Sequence, residues 1–370
     1  MLDRYAQLLV KYSLDVQPGW RVLLRSSTVA EPLIAEIYKA LLQAGAHVEV
    51  QLSMADQDHL FYTYANEDQL SHLPTLYQTA IDEFDAIVSI MASYNLKSNA
   101  GAEKEKRKIV DAAIAPVKKR MMQRSANKEL HWVLAQYPCH ASAQEAGMSL
   151  REFQDFIFGA CMLDQDDPSA AWSKLSEIQE SLVQRLNTVK SIQFIGPQTN
   201  LTASVDGRIW INSDGRRNMP SGEVFTAPVE DAINGEIFFD VPTVFQSSNV
   251  QGIHLRVENG VIQSWSAKEG QDVLDYVFNT PGARQFGELA IGTNYAIQEP
   301  IKNILFDEKI GGSIHMAVGA SYPECGGKNE SSIHWDMIKY MHEGQILADG
   351  ELIYENGAFI WPEAAALKKD

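Results

Sequence analysis

Apolar and polar positions follow two different rhythms along this chain. In the first half, Arg21-Val-Leu-Leu-Arg25 reads as a short buried strand, and residues 31–44 then set Leu33, Ile34, Ile37, Tyr38, Leu41 and Leu42 at helical spacing before Gly45 supplies a stop. Ala46 to Leu52 follows as a second strand and completes a β-α-β unit. Asp85 to Ile90 and His131 to Ala135 read as further strands separated by helical stretches, which predicts a parallel α/β sheet.

From Ser149 to about Val189 the pattern is helical. Ser149 and Glu152 have capping-box spacing, Phe153, Phe156, Ile157 and Cys161 form an apolar stripe, and Pro168 opens a second helix carrying Trp172, Leu175, Ile178 and Leu182. This stretch is expected to bridge two domains. After Ser191 the texture becomes short apolar runs broken by Gly, Asn and Pro: Ile192 to Ile195, Leu201 to Val205, Ile209 to Ile211, Ile237 to Phe239 and Ile253 to Val257. The expected fold class is α/β, with a parallel α/β domain and its helical bridge over residues 1–190 and a β-rich α+β domain over residues 191–370.

Composition narrows the function. The 48 acidic residues exceed the 31 basic ones, leaving a formal charge of −17, which argues against a nucleic-acid partner. The same excess supplies carboxylates, the natural ligands of divalent cations. The N-terminus lacks a basic region followed by an apolar one, and no uncharged apolar run is long enough to span a bilayer, so neither export nor membrane insertion is expected. Cys139, Cys161 and Cys325 have no C-x-x-C spacing, which indicates neither a disulfide framework nor a thiolate zinc site and fits a reducing cytoplasm.

Several chemistries lack their motifs. There is no G-x-G-x-x-G after a strand, no G-x-S-x-G and no H-E-x-x-H. The segment Gly319 to Lys328 approaches a phosphate loop, but Tyr322 stands where its first glycine belongs and Asn329 replaces the hydroxyl that would reach magnesium.

Carboxylates and imidazoles gather instead in the second half. Glu223 follows Gly222 beside strand-like Val224-Phe225, and Glu288 begins an apolar strand, where a buried unpaired charge would cost several kcal/mol. Glu308 precedes a glycine pair, His315 lies in a strand-like apolar run, and Tyr322 follows it. In Ile333-His-Trp-Asp-Met337, positions i and i+2 of an extended chain share a face, so His334 and Asp336 stand side by side while Trp335 points away. Each has a plainer reading, as a solvated loop glutamate, a hydrogen-bonded core histidine or a simple His–Asp pair. Together they are the ligand mix of a two-metal hydrolytic site.

The chain resembles peptidase family M29, the metallopeptidases of the aminopeptidase T, PepS and AmpS type. The similarity runs over nearly the whole sequence. It includes Tyr5 to Val10, Val16-Gln-Pro-Gly-Trp20, Ala143 to Met148, Asp167-Pro168 with Ala171-Trp172, Asn212 to Gly215 and the four clusters just described. The resemblance implies a cytoplasmic homodimeric exopeptidase that removes N-terminal residues from peptides with a free N-terminus, using two divalent ions, zinc, cobalt, manganese or magnesium. The family's metal ligands map onto Glu223, Glu288, Glu308, His315, His334 and Asp336, and its tyrosine onto Tyr322. The segment between Glu308 and His315 is longer here than in the founding thermophilic members.

The implied mechanism is metal-assisted hydrolysis, in which two ions about 3.5–4 Å apart share a water and lower its pKa toward about 7. Glu288 is expected to bridge the ions, Glu223 to carry a proton to the leaving amine, and Tyr322 to act as a weak ligand or as a donor to the oxyanion. Two alternatives remain. One is a two-metal amidase or phosphoesterase, with Arg216, Arg217 and Lys328 holding a phosphate; the other is a non-catalytic protein with a structural ion site.

Overall fold

Five strands, all parallel, order as His47–Ser53, Arg21–Ser27, Ala86–Met91, His131–Gln136 and Asn218–Met219 in the computed structural model, which describes residues 1–246, 248–364 and 366–367. This sheet is the centre of one compact unit, Met1–Ser169 with Gly215–Met219; the second comprises Ala170–Asp214 and Pro220–Asp370. The central strands bury Val22, Leu24, Val88 and Val133 completely, as the continuous apolar runs of a parallel sheet require.

The helix Glu31–Gln43 packs through Leu33, Ile34, Ile37, Ala40 and Leu41. Tyr38 and Leu42, expected on its apolar stripe, are 39% and 50% exposed. Each lies one residue, about 100° of helix, beyond Ile37 or Leu41, so the buried face is narrower than the run of apolar letters. The capping box forms as read: the Ser149 backbone N–H donates to Glu152 Oε2 at 2.8 Å, and the Glu152 N–H donates to Ser149 Oγ at 3.2 Å. It starts the helix Leu150–Ala160, whose Phe153, Ile157 and Phe158 are buried.

The helix Pro168–Leu186 lies in the second unit from Ala170 onward, because its Leu182, Val183 and Leu186 belong to that unit's core. Two antiparallel sheets share this core. One has eight strands, running from Val261–Ser266 at one edge to Ala358–Phe359 at the other. The other orders His334–Tyr340, Ser313–Gly319, Phe286–Gly292, Glu223–Thr226 and Ile211–Ser213. Of the apolar run Ile209 to Ile211, only Ile211 enters a strand. The Ile209 N–H donates to the Cys325 carbonyl and its own carbonyl accepts from Thr226 Oγ1, so its backbone is engaged outside the ladder. All three cysteines are free and buried.

Candidate metal centre

The five-stranded antiparallel sheet has two faces of opposite character. Val224, Leu289, Ile291, Ile314, Met316, Val318, Trp335 and Met337 enter the core shared with the eight-stranded sheet. Alternation along each strand turns the intervening residues to the other face. Those residues include Glu223, Glu288, His315, His334 and Asp336. The ladder sets them next to one another: Ala317 lies opposite Glu288 on one side and Asp336 on the other, His315 is opposite Ala290, and His334 is opposite Gly319. Small residues at 290, 317 and 319 leave room between the long polar ones.

Glycine precedes two of these glutamates for stated steric reasons. Register shifts between Phe286 and Glu288, and a Cβ on Gly287 would lie 2.2 Å from the Ala320 carbonyl oxygen. The bulge lets Phe286 and Leu289 both enter the core while Glu288 turns to the polar face. Gly222 has φ +113° and approaches Asn294 so closely that a Cβ would sit 2.7 Å from the asparagine's Cβ. Glu223 therefore starts its strand from a backbone conformation that other residues rarely adopt.

The side chains converge. Glu288 Oε1 is 3.4 Å from His315 Nε2, and Glu288 Oε2 is 3.2 Å from His334 Nε2, so its two oxygens face different imidazoles. Glu223 Oε2 is 3.4 Å from His315 Nε2. Asp336 Oδ1 lies 3.9 Å from His315 Nε2 and 3.8 Å from His334 Nε2. His334 Nδ1 donates to the Ala320 carbonyl at 2.8 Å, which fixes the ring and leaves Nε2 for the cluster. The stretch that failed as a phosphate loop thus orients this histidine, and Tyr322 from the same loop sets its ring edge-to-face against both Phe225 and His334.

Burial and mutual charge reshape the titrations. Burial opposes ionisation of Glu288, but hydrogen bonds with His315 and His334 and their charges overcome it and hold the carboxyl down at about 2. Burial also works against charge on the histidines. It is overridden at His315, raised to about 9 by Glu288, Glu223 and Asp336, and at His334, raised to about 10 by Glu288 and Asp336. Asp336 is pushed up to about 6, first by burial and then by the charges of Glu308 and Glu288. Burial is also the main force raising Glu308, with Lys309 pulling it back. Tyr322 is raised by burial and then by the surrounding carboxylates, which keeps it an O–H donor.

Glu308 caps the short helix Ile304–Asp307 and joins the cluster through Lys309, whose ammonium bonds Glu308 Oε1 and lies 2.5 Å from Glu223 Oε1. Sequence reading missed Lys309, since a lysine beside an acidic pair ordinarily faces water. It also missed Gln179, fully buried on its helix. The Gln179 amide donates to Asn212 Oδ1 at 2.7 Å and to the Glu223 carbonyl at 2.9 Å, and its oxygen accepts from Thr293 Oγ1 at 2.9 Å. Gln179→Ala strands these buried groups and is expected to cost about 1–3 kcal/mol for each one left unpaired. Thermal unfolding of the variant should show a midpoint several degrees lower; an unchanged midpoint would contradict this account of how Glu223 is anchored.

The donor set fits cations. Among the described residues, Glu223 Oε2, Asp336 Oδ1 and His315 Nδ1 are buried without a hydrogen-bond partner, and a stranded buried carboxylate oxygen is costly unless something positive meets it. Three overlapping sets each bring their ligand atoms within 4.8 Å of one another: Glu223, Glu288 and His315; Glu288, His334 and Asp336; and Glu308, His315 and Asp336. Every metal ligand named from sequence thus falls in one of these sets, and Tyr322 lies against them.

Comparison with known proteins agrees in one direction. The family described as thermophilic metalloprotease (M29) matches residues 1–359. Aminopeptidase 2 of Geobacillus stearothermophilus is 29% identical over 91% of this chain and 91% of its own length. Among solved structures, wild-type AmpT from Thermus thermophilus superposes with a TM-score of 0.86 at 24% identity, covering 97% of this chain and 99% of that one. A 2,5-dihydroxypyridine dioxygenase from Pseudomonas putida superposes less well, with a TM-score of 0.63 at 17% identity over 98% and 97%. At these identities the two structures speak for the fold alone.

Proposed function

Because the chain belongs to peptidase family M29, a family of metallo-aminopeptidases, we propose that it hydrolyses the N-terminal residue from peptides with two divalent ions bound on the polar face of its five-stranded antiparallel sheet. The observation that carries the proposal is Glu288, whose two oxygens face two different histidines and which belongs to two of the three ligand sets. In this reading Glu288, His315 and Glu308 or Glu223 would hold one ion, and Glu288, His334 and Asp336 would hold the other. Zinc, cobalt, manganese and magnesium all suit such mixed oxygen and nitrogen donors.

Divalent ions bound there would acidify a water and polarise the scissile carbonyl. The chain's own groups do the rest. Tyr322, protonated and packed on His334, is assigned the donation to the oxygen that becomes negative as the carbonyl is attacked. Glu223 is assigned the proton transfer to the leaving amine: Lys309 holds its Oε1, and its Oε2 has no hydrogen-bond partner among the described residues. The His334 side chain, 28% exposed, marks the side of the cluster that solvent and substrate reach. A homodimer in the cytoplasm belongs to the same proposal. No helix among the described residues is long and apolar enough to cross a membrane.

A phosphoesterase would need cationic groups for its phosphate. Arg216 instead stacks over the Tyr12 ring with its guanidinium carbon 5.0 Å from the centroid. Purified metal-loaded protein is expected to release nitroaniline from aminoacyl-nitroanilides and to leave nitrophenyl phosphate intact. Cleavage of the phosphate alone would make the peptidase assignment wrong.

A further inference from the structure

A buried lysine stands within the carboxylate cluster and holds more than the one Glu223 oxygen already described. The Lys309 side chain is 1% exposed, and its ammonium contacts one oxygen of Glu223 and one of Glu308. The other oxygen of Glu223 lies beside His315 with no hydrogen-bond partner among the described residues. The lysine therefore takes the outer oxygen of that carboxylate and leaves the inner one turned toward the histidine.

The backbone holds the lysine in place. Its N–H donates to the Phe306 carbonyl at 2.9 Å, and its own carbonyl accepts from the Asn294 N–H at 3.0 Å. Asn294 in turn donates from its side chain to the Ser221 carbonyl at 2.9 Å, two residues before Glu223. One asparagine thus ties the segment carrying Lys309 to the segment carrying its partner. An ammonium has three donors and no lone pair, so it cannot ligate an ion; it can only fix the acids around one.

From this geometry, and resting on the two-ion reading above, we propose that Lys309 is a positioning residue that aims Glu223 and Glu308 at the ion position beside His315. Among the described residues the ammonium pairs with Glu223 and Glu308 and not with Glu288, His334 or Asp336, so the position formed by those three should not depend on it.

The test titrates metal-free protein with Co²⁺, following its absorption spectrum and the affinity of each equivalent by chelator competition. Wild type is expected to take two equivalents. Lys309→Met and Lys309→Gln, made separately so that a folding failure in one leaves the other informative, are expected to keep one equivalent at wild-type affinity. The second should weaken by about 10–100-fold, the usual cost of losing a partner that orients a ligand. Lys309→Arg, which keeps N–H donors for the two carboxylates, should recover part of that loss, and raised Co²⁺ should restore turnover in the neutral variants with KM little changed. Two equivalents at wild-type affinity in a folded neutral variant would overturn the proposal. Glu288→Ala is the control for the underlying reading: if it too retains both equivalents, the site itself is misassigned, whereas its loss beside an unaffected Lys309 variant condemns the lysine's role alone.

Discussion

Alanine at Glu288 is expected to lower peptide hydrolysis by more than about 100-fold, and alanine at His334 to do the same, each at saturating metal and substrate. The two substitutions act on one contact. Glu288 Oε2 and His334 Nε2 are 3.2 Å apart, and the other Glu288 oxygen faces His315 at 3.4 Å. Removing the carboxylate therefore disturbs both histidines, whereas removing His334 disturbs one side only. Neither change reaches the core, because Leu289, Ile291, Trp335 and Met337 on the same strands face the opposite way. Both variants should fold, which a retained far-ultraviolet spectrum and cooperative unfolding would check. Near-wild-type turnover in both would mean that the reacting atoms lie elsewhere.

Removing metal should abolish turnover without unfolding the protein, and restoring divalent metal should bring the activity back. The fold survives because the strands that carry the ligands are anchored by an apolar core on their other face, and because positive charge remains when the ions leave. Lys309 stays paired with Glu223 and Glu308, and His315 and His334, raised to about 9 and about 10 by their carboxylate neighbours, carry protons at neutral pH. Stability should still fall, since a ligand that binds only the native state adds RT ln(1 + [L]/Kd), about 2.7 kcal/mol at a hundredfold excess over Kd. The measurement pairs verified metal content with turnover and thermal midpoint. Full activity in protein shown to be metal-free would contradict the mechanism, and collapse of the fold on chelation would point to a structural ion.

Periodicity carried the α/β half of the chain, where apolar runs flanked by helix signals leave few arrangements for a parallel sheet. Its failures were local. Tyr38 and Leu42 fit the helical spacing but lie just outside the buried stripe, and Ile209 is diverted from the ladder by bonds to Cys325 and Thr226. At the candidate site the His334 and Asp336 pairing was legible because i and i+2 of a strand share a face whatever the tertiary fold. The remaining ligands were not linked by any local rule. Glu288 reaches the polar face only through the bulge at Gly287, and Glu308 joins through an ammonium contributed by its neighbour. Gln179 and Lys309 were invisible for a simpler reason: sequence assigns such side chains to solvent, and only long-range packing reveals that they are buried and fully engaged.

The central claim is that this protein is a metal-dependent enzyme acting at a free peptide N-terminus. The most direct measurement incubates the metal-loaded protein with one short peptide in two forms, free and N-acetylated, and follows the masses over time. Stepwise loss of the N-terminal residue from the free peptide, with the acetylated one untouched, is the expected result. Equal cleavage of both peptides, or of neither, would contradict it.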